Sequence, residues 1–184
     1  MRIATIGRGN IGGGLGAKWE AAGHELTQLG SEGGDVSAVE VVLVAVPGGA
    51  VAEALERVEG LEGKTAIDAT NLVGTSPPQG FASNAEFVKS RTNGPTAKAF
   101  NINFAVLYDR IDELPSSPSN LWCGDEEARG TVEQLSRDAG YDPVCAGPLE
   151  NASMQESFIQ LAFAIVKDGG LGPFFYRIAP PEKF

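Results

Sequence analysis

The stretch that most constrains this chain is residues 1–32, where strand, glycine turn, helix and second strand follow one another without a gap. Arg2-Ile3-Ala4-Thr5-Ile6 is a short apolar run with β-branched residues, and it ends in Gly7-Arg8-Gly9-Asn10-Ile11-Gly12. That spacing is G-x-G-x-x-G. The first glycine permits the tight turn, the second lets a pyrophosphate approach the backbone, and the third lets the next helix pack closely on the strand. The free amides and positive dipole end of that helix then face a phosphate. In a chain with 24 glycines the pattern alone is weak. Its weight comes from its place after an N-terminal strand and before Ile11, Leu15, Trp19 and Ala22 at helical spacing.

The second strand, residues 24–29, follows a helix stop at Ala22-Gly23 and ends in Gly30-Ser31-Glu32-Gly33-Gly34. At such a tip a carboxylate suits the ribose hydroxyls of NAD, whereas Arg or a small hydroxyl residue suits the 2′-phosphate of NADP. Glu32 leans toward NAD. Ser31 and Arg8 lean the other way, so both cofactors stay open.

Downstream, residues 41–46 form a continuous apolar run, the pattern of a central parallel strand covered on both faces, and Pro47 stops it. Residues 49–58 space Val51, Leu55 and Val58 on one helical face, and Thr65-Ala66-Ile67-Asp68 is a fourth strand. Ligands of open α/β sheets lie beyond the strands' carboxyl ends, which places Pro47-Gly48 and Thr70-Asn71 beside a cofactor. A Pro-rich loop at 75–80 precedes a helix at 84–90 and a strand at 97–101. Residues 109–120, with Pro115 and Pro118, read as a surface excursion. A strand at 121–124, a helix capped by Asp125 and ended at Gly140, and a strand at 141–145 follow. The last helix, 151–167, carries Met154, Phe158, Leu161 and Ile165 on one stripe, expected to be buried or, with Phe174 and Phe175, to form a homodimer surface. The expected fold is α/β: a Rossmann-like, doubly wound, mostly parallel sheet with helices on both faces. Residues 1–184 form a single such domain, with the C-terminal helix packing on it.

A net charge of −10 without a Lys/Arg cluster disfavours nucleic-acid and anionic-membrane partners. The N-terminus enters a strand directly, and the longest apolar runs are too short to span a bilayer, so a cytoplasmic location is expected. Cys123 and Cys145 lack metal or redox spacing and read as two buried strand thiols. The one histidine, His24, sits in a polar helix-to-strand turn away from the carboxyl edge. A His-dependent hydroxy-acid dehydrogenase and a Ser-His hydrolase are therefore poorly supported. Hydride transfer between two stacked rings needs no dedicated acid or base, only orientation and exclusion of water.

Several segments together resemble the NADP oxidoreductase, coenzyme F420-dependent family. They are Gly7-Arg8-Gly9-Asn10-Ile11-Gly12, Ala45-Val46-Pro47, Lys98-Ala99-Phe100-Asn101, Cys123-Gly124-Asp125-Glu126-Glu127 and Ala146-Gly147-Pro148-Leu149-Glu150-Asn151. The oxidoreductase domain of membrane metal reductases is similar. The resemblance implies a Rossmann protein passing hydride between NADP(H) and a 5-deazaflavin, with a small-molecule redox acceptor as partner. It implies that Gly7, Arg8, Gly9, Asn10 and Ile11 hold the pyrophosphate and that Ser31 lies at the adenosine 2′ position. Ala45, Val46 and Pro47 would line the dinucleotide, and Ala99, Phe100 and Asn101 would edge the nicotinamide, near Asn71. Where the family commonly carries Arg after the serine, this chain has Glu32, which opposes a 2′-phosphate. The segment before the third strand is also short, removing other basic candidates. A non-catalytic dinucleotide sensor and a small imine or keto reductase are the alternatives.

Overall fold

The computed structural model describes residues 1–183. Strands β1 (Arg2–Ile6), β2 (Glu25–Leu29), β4 (Val41–Val44), β6 (Thr65–Asp68), β7 (Thr96–Ala99), β8 (Ser119–Gly124) and β9 (Asp142–Cys145) form one sheet in the order β2-β1-β4-β6-β7-β8-β9. Every neighbouring pair is parallel except β7 and β8. Two short segments, β3 (Gly34–Asp35) and β5 (Val58–Glu59), pair in parallel at the side. The helices are α1 (Asn10–Ala21), α2 (Val51–Glu56), α3 (Asn84–Thr92), α4 (Arg129–Asp138) and α5 (Ala152–Lys167).

Strand alternation sorts the core into two layers, because successive side chains point to opposite faces. Ile3, Val41, Leu43, Ile67 and Ala97 face α1 and α4 through Leu15, Trp19, Val132 and Leu135. Ala4, Ile6, Val42, Val44 and Ala66 face α2 and α3 through Val51, Leu55 and Val88. Val41–Val44 is buried at every position, as a strand covered on both faces must be. The fold is thus α/β, Rossmann-like and doubly wound, with helices on both faces. Since β1 lies between β2 and β4, the chain leaves it in opposite directions, and the crevice at that switch point is where such sheets bind ligands.

Five expectations need correction. The helix expected at 49–58 is a 3₁₀ turn, Gly48–Ala50, followed by α2, and Val58 leaves it to pair with the β3 segment. The 109–120 excursion begins within a 3₁₀ helix, Ala105–Glu113, that buries Tyr108 against α1 and Ile111 beside Gly140. Gly14 admits the Tyr108 ring, since a methyl there would stand 2.6 Å from its Cδ2. Asp125 does not cap a helix with its side chain; its carboxylate accepts from Thr96 N at 2.8 Å and from Lys89 Nζ at 2.5 Å, tying β7 to α3. Cys123 is buried, but Cys145, on the edge strand, is exposed.

The fifth concerns α5. Of the two expectations for its stripe it is the burial that fails: Met154, Phe158 and Leu161 are exposed, while Ala152, Gln155, Glu156, Ile159 and Ala162 face the protein. The helix docks through a half-polar face because the sheet beneath it presents polar groups of its own, described below. No helix among the described residues is long and apolar enough to cross a membrane.

Candidate functional site

Each glycine of the turn has its own structural reason. Gly7 has φ +101°, and a methyl on it would lie 2.4 Å from the Ala45 carbonyl oxygen. A methyl on Gly12 would lie 1.9 Å from the Gly7 carbonyl oxygen, so only glycine lets α1 come this close. Over Gly9 there is nothing within 4 Å. That open approach faces the first turn of α1, which has no side-chain cap and no acidic residue to occupy its free amides.

Two cavities flank the turn. One, of about 400 Å³, is lined on the β2 side by Gly7, Arg8, Gly30, Ser31, Glu53 and Arg57. The other, of about 560 Å³, runs from Asn10, Ile11 and Ala45 across the ends of β4 and β6 to Asn71, Asn101 and Phe104, with Ile159 and Phe163 of α5 on its far side. Val46 and Pro47 line both, so the two cavities adjoin at the end of β4, on either side of these residues. Among the described residues, none of the side chains lining the larger cavity is ionisable.

The far wall is held by side chains. Asn71 Nδ2 donates to Asn101 O at 2.7 Å, Asn101 Nδ2 donates to Asn71 Oδ1 at 3.0 Å, and Gln155 Nε2 donates to Asn101 Oδ1 at 2.8 Å. Beneath them Lys98, fully buried, donates from Nζ to Asp68 Oδ2 and Glu156 Oε1, both at 2.7 Å, and to Thr70 O at 2.6 Å. Asn84 Nδ2 donates to Thr70 Oγ1 at 2.8 Å and to Gly48 O at 3.1 Å, linking the β4 and β6 turns. Burial pushes the Glu156 carboxyl up, and the Lys98 ammonium opposes that push. Burial likewise raises the Cys123 thiol to about 12, leaving it inert.

Of the sequence-expected residues, Gly7, Arg8, Asn10, Ile11, Ala45, Val46, Pro47, Asn71, Asn101 and Ser31 line one cavity or the other, and Gly9 lies at the mouth between Arg8 and Asn10. Ala99 and Phe100 do not. The strand ends at Ala99, and Phe100 turns its ring into the core against Trp19 and Tyr141. Phe100 has φ +62°, a costly conformation for a bulky residue, which its amide supports by donating to Asn120 Oδ1 at 3.0 Å. That turn sends Asn101 out to the cleft. Glu32 is exposed and does not line the ribose-side cavity. His24 is structural: its ring bridges the N-terminal amine at 3.1 Å and Asp138 at 2.8 Å.

Sequence reasoning missed Arg57, Lys98 and the polar face of α5. A lysine inside the apolar strand Thr96-Ala97-Lys98-Ala99 was a legible signal. Gln155 and Glu156, three to four residues before Ile159, were another. Arg57 carried none beyond its spacing from Glu53.

Together these features define a Rossmann-like α/β protein with an open glycine turn at its switch point. No family model matches the chain. It is 32% identical over 124 residues to the metalloreductase STEAP3 of Rattus norvegicus, a match covering 66% of this chain and 25% of that protein. The fold is similar to that of a candidate F420-dependent NADP reductase from Arthrobacter sp. FB24, with a TM-score of 0.78, 18% identity and coverage of 98% of this chain and 100% of that one. It is also similar to an imine reductase from Streptomyces aurantiacus, with a TM-score of 0.70, 16% identity and coverage of 93% of this chain and 63% of that one.

Proposed function

We propose that this protein binds NAD(P)(H) and serves hydride exchange with a second planar acceptor, a 5-deazaflavin of the coenzyme F420 type being the acceptor its likenesses favour. The observation that carries this is the pair of cavities adjoining at Val46 and Pro47, one of about 400 Å³ on the β2 side and a larger one of about 560 Å³ across the ends of β4 and β6, beside the open Gly9. An extended dinucleotide is a ligand of that shape, with its diphosphate over the turn. When bound, it supplies the hydride. The chain's part is to clasp the diphosphate with the amides of Gly9, Asn10 and Ile11, and to hold one ring edge with the Asn71–Asn101 pair. Ile102, Phe104 and Phe163 exclude water from the ring site.

A larger cavity lined, among the described residues, by non-ionisable side chains fits transfer between two rings. It disfavours reduction of an imine or ketone, where nitrogen or oxygen must also gain a proton. Mixing the protein with NADPH or NADH and a panel of deazaflavin, flavin and quinone acceptors tests the proposal. Cofactor oxidation with at least one acceptor is expected. Tight dinucleotide binding with no oxidation by any of them would favour a sensor instead, a role the same non-ionisable cavity would suit.

A further inference from the structure

At the adenosine end, positive charge does not stand where the β2 tip alone would put it. The residue after Ser31 is Glu32, whose carboxylate folds over Gly30: a methyl on Gly30 would lie 2.6 Å from a Glu32 oxygen and 3.0 Å from Arg8 Cζ. Gly30 itself, the first residue beyond β2, offers no carboxylate to the ribose hydroxyls. The cations come from two other elements. Arg8 leaves the glycine turn with no ion-pair partner among the described residues, and Arg57 reaches in from the end of α2.

Arg57 is fixed to the β2 tip at both its ends. Its Nη1 donates to Ser31 O at 2.8 Å, and its own carbonyl oxygen accepts from Gly34 N at 3.0 Å. Gly33, at φ +75°, closes so tightly that a methyl on it would stand 1.9 Å from that oxygen. The loop carrying Ser31 and the end of α2 are therefore locked together, across 26 residues of sequence. Two guanidinium donors are used, one on Ser31 O and one on Glu53 Oε1 at 2.5 Å. Three of the usual five remain. The Glu53 pair is about half exposed, and such pairs are weak enough for a phosphate near two negative charges to displace.

We infer that Arg57, together with Arg8 and the Ser31 hydroxyl, forms a subsite for adenosine 2′-phosphate, so that this chain selects NADP(H) over NAD(H) with no cation on the β2 tip. The inference rests on the dinucleotide reading above. It names a residue on a different element from the one the family resemblance points to, and it assigns Glu32 the role of a displaceable rim carboxylate.

Calorimetric titration with NADPH, NADH, 2′,5′-ADP and ADP tests it, in the unaltered chain and in Arg57→Ala and Arg57→Lys. Melting temperatures verify that each variant is folded. The unaltered chain should prefer each 2′-phosphorylated ligand by at least about tenfold. Arg57→Ala should lose most of that preference while its affinity for NADH and ADP stays within about twofold. Arg57→Lys, which keeps a charge but not the fork, should fall between. Equal affinity for NADPH and NADH in the unaltered chain, or an undiminished preference in Arg57→Ala, would overturn the inference and leave dinucleotide binding standing. Binding of none of the four ligands would overturn the dinucleotide reading, and the subsite with it.

Discussion

The two ends of the cleft, on the β2 side and across β6 and β7, are built by different means. The β2 side is made mostly of backbone: Gly7, Gly9 and Gly12 place amides and a helix end, and the side chains beside them, Arg8, Ser31 and Arg57, are exposed. The far side is made of side chains drawn from β6, β7, α3 and α5, with Lys98, Asp68, Glu156, Asn101 and Gln155 buried and bonded to one another. A backbone site fails when a methyl is added. A side-chain network fails when one member is removed, because its partners then stay buried without compensation.

Breaking the far side should have the largest effect on stability. Lys98→Met leaves two carboxylates facing each other in the core and should cost on the order of 3–5 kcal/mol, read as a fall in urea midpoint. ADP binding, measured below the lowered melting temperature, should change by no more than about twofold, because the β2 side does not depend on the lysine. Equal loss of ADP affinity would show that the two ends are one cooperative unit.

Gly12→Ala is the opposite test. The methyl cannot avoid the Gly7 carbonyl, so α1 must move away, at roughly 1–3 kcal/mol in stability. Diphosphate affinity should drop by more than about tenfold, a larger share of function than of stability. Third in size, Asn101→Ala removes one acceptor of Gln155, which keeps Leu121 O, and a partner of Asn71, and should cost about 1–2 kcal/mol. If hydride transfer is measurable, kcat should fall more than the dinucleotide KM rises.

The smallest effect is a matter of pH. Burial raises the Glu156 carboxyl, so above the ordinary glutamate range the native state holds a proton that the unfolded chain has released, and the carboxyl's contribution falls as pH rises toward its folded value. Glu156→Gln keeps an acceptor for Lys98 and Asn84 and removes that titration. Its melting temperature relative to the unaltered chain should climb with pH across that window. A flat difference would mean that the Lys98 ion pair outweighs burial.

The same contrast explains what could be read from the sequence. The G-x-G-x-x-G turn, the buried run at Val41–Val44 and the strand Thr65–Asp68 follow from local spacing, and the structure has them in place. What local spacing did not reveal depends on distant partners. The α5 stripe of Met154, Phe158 and Leu161 has a convincing helical period, yet the opposite face is the buried one, because Lys98 and Asn101 attract Glu156 and Gln155. Arg57 belongs to the ribose side only because β3 pairs with β5 and carries the loop to it. Phe100 reads from the sequence as part of a strand at 97–101; the strand ends one residue earlier, and the residue's φ of +62° is supported by a hydrogen bond to Asn120, 20 residues away.

The central claim is that the amides of the glycine turn clasp a diphosphate. Amide-resolved NMR titration with ADP and with NADPH measures this directly. The account predicts the largest shifts at Gly9, Asn10 and Ile11 with both ligands, extending to Asn71 and Asn101 only with the dinucleotide. Unmoved resonances at Gly9, Asn10 and Ile11 at saturating concentrations of both would contradict it.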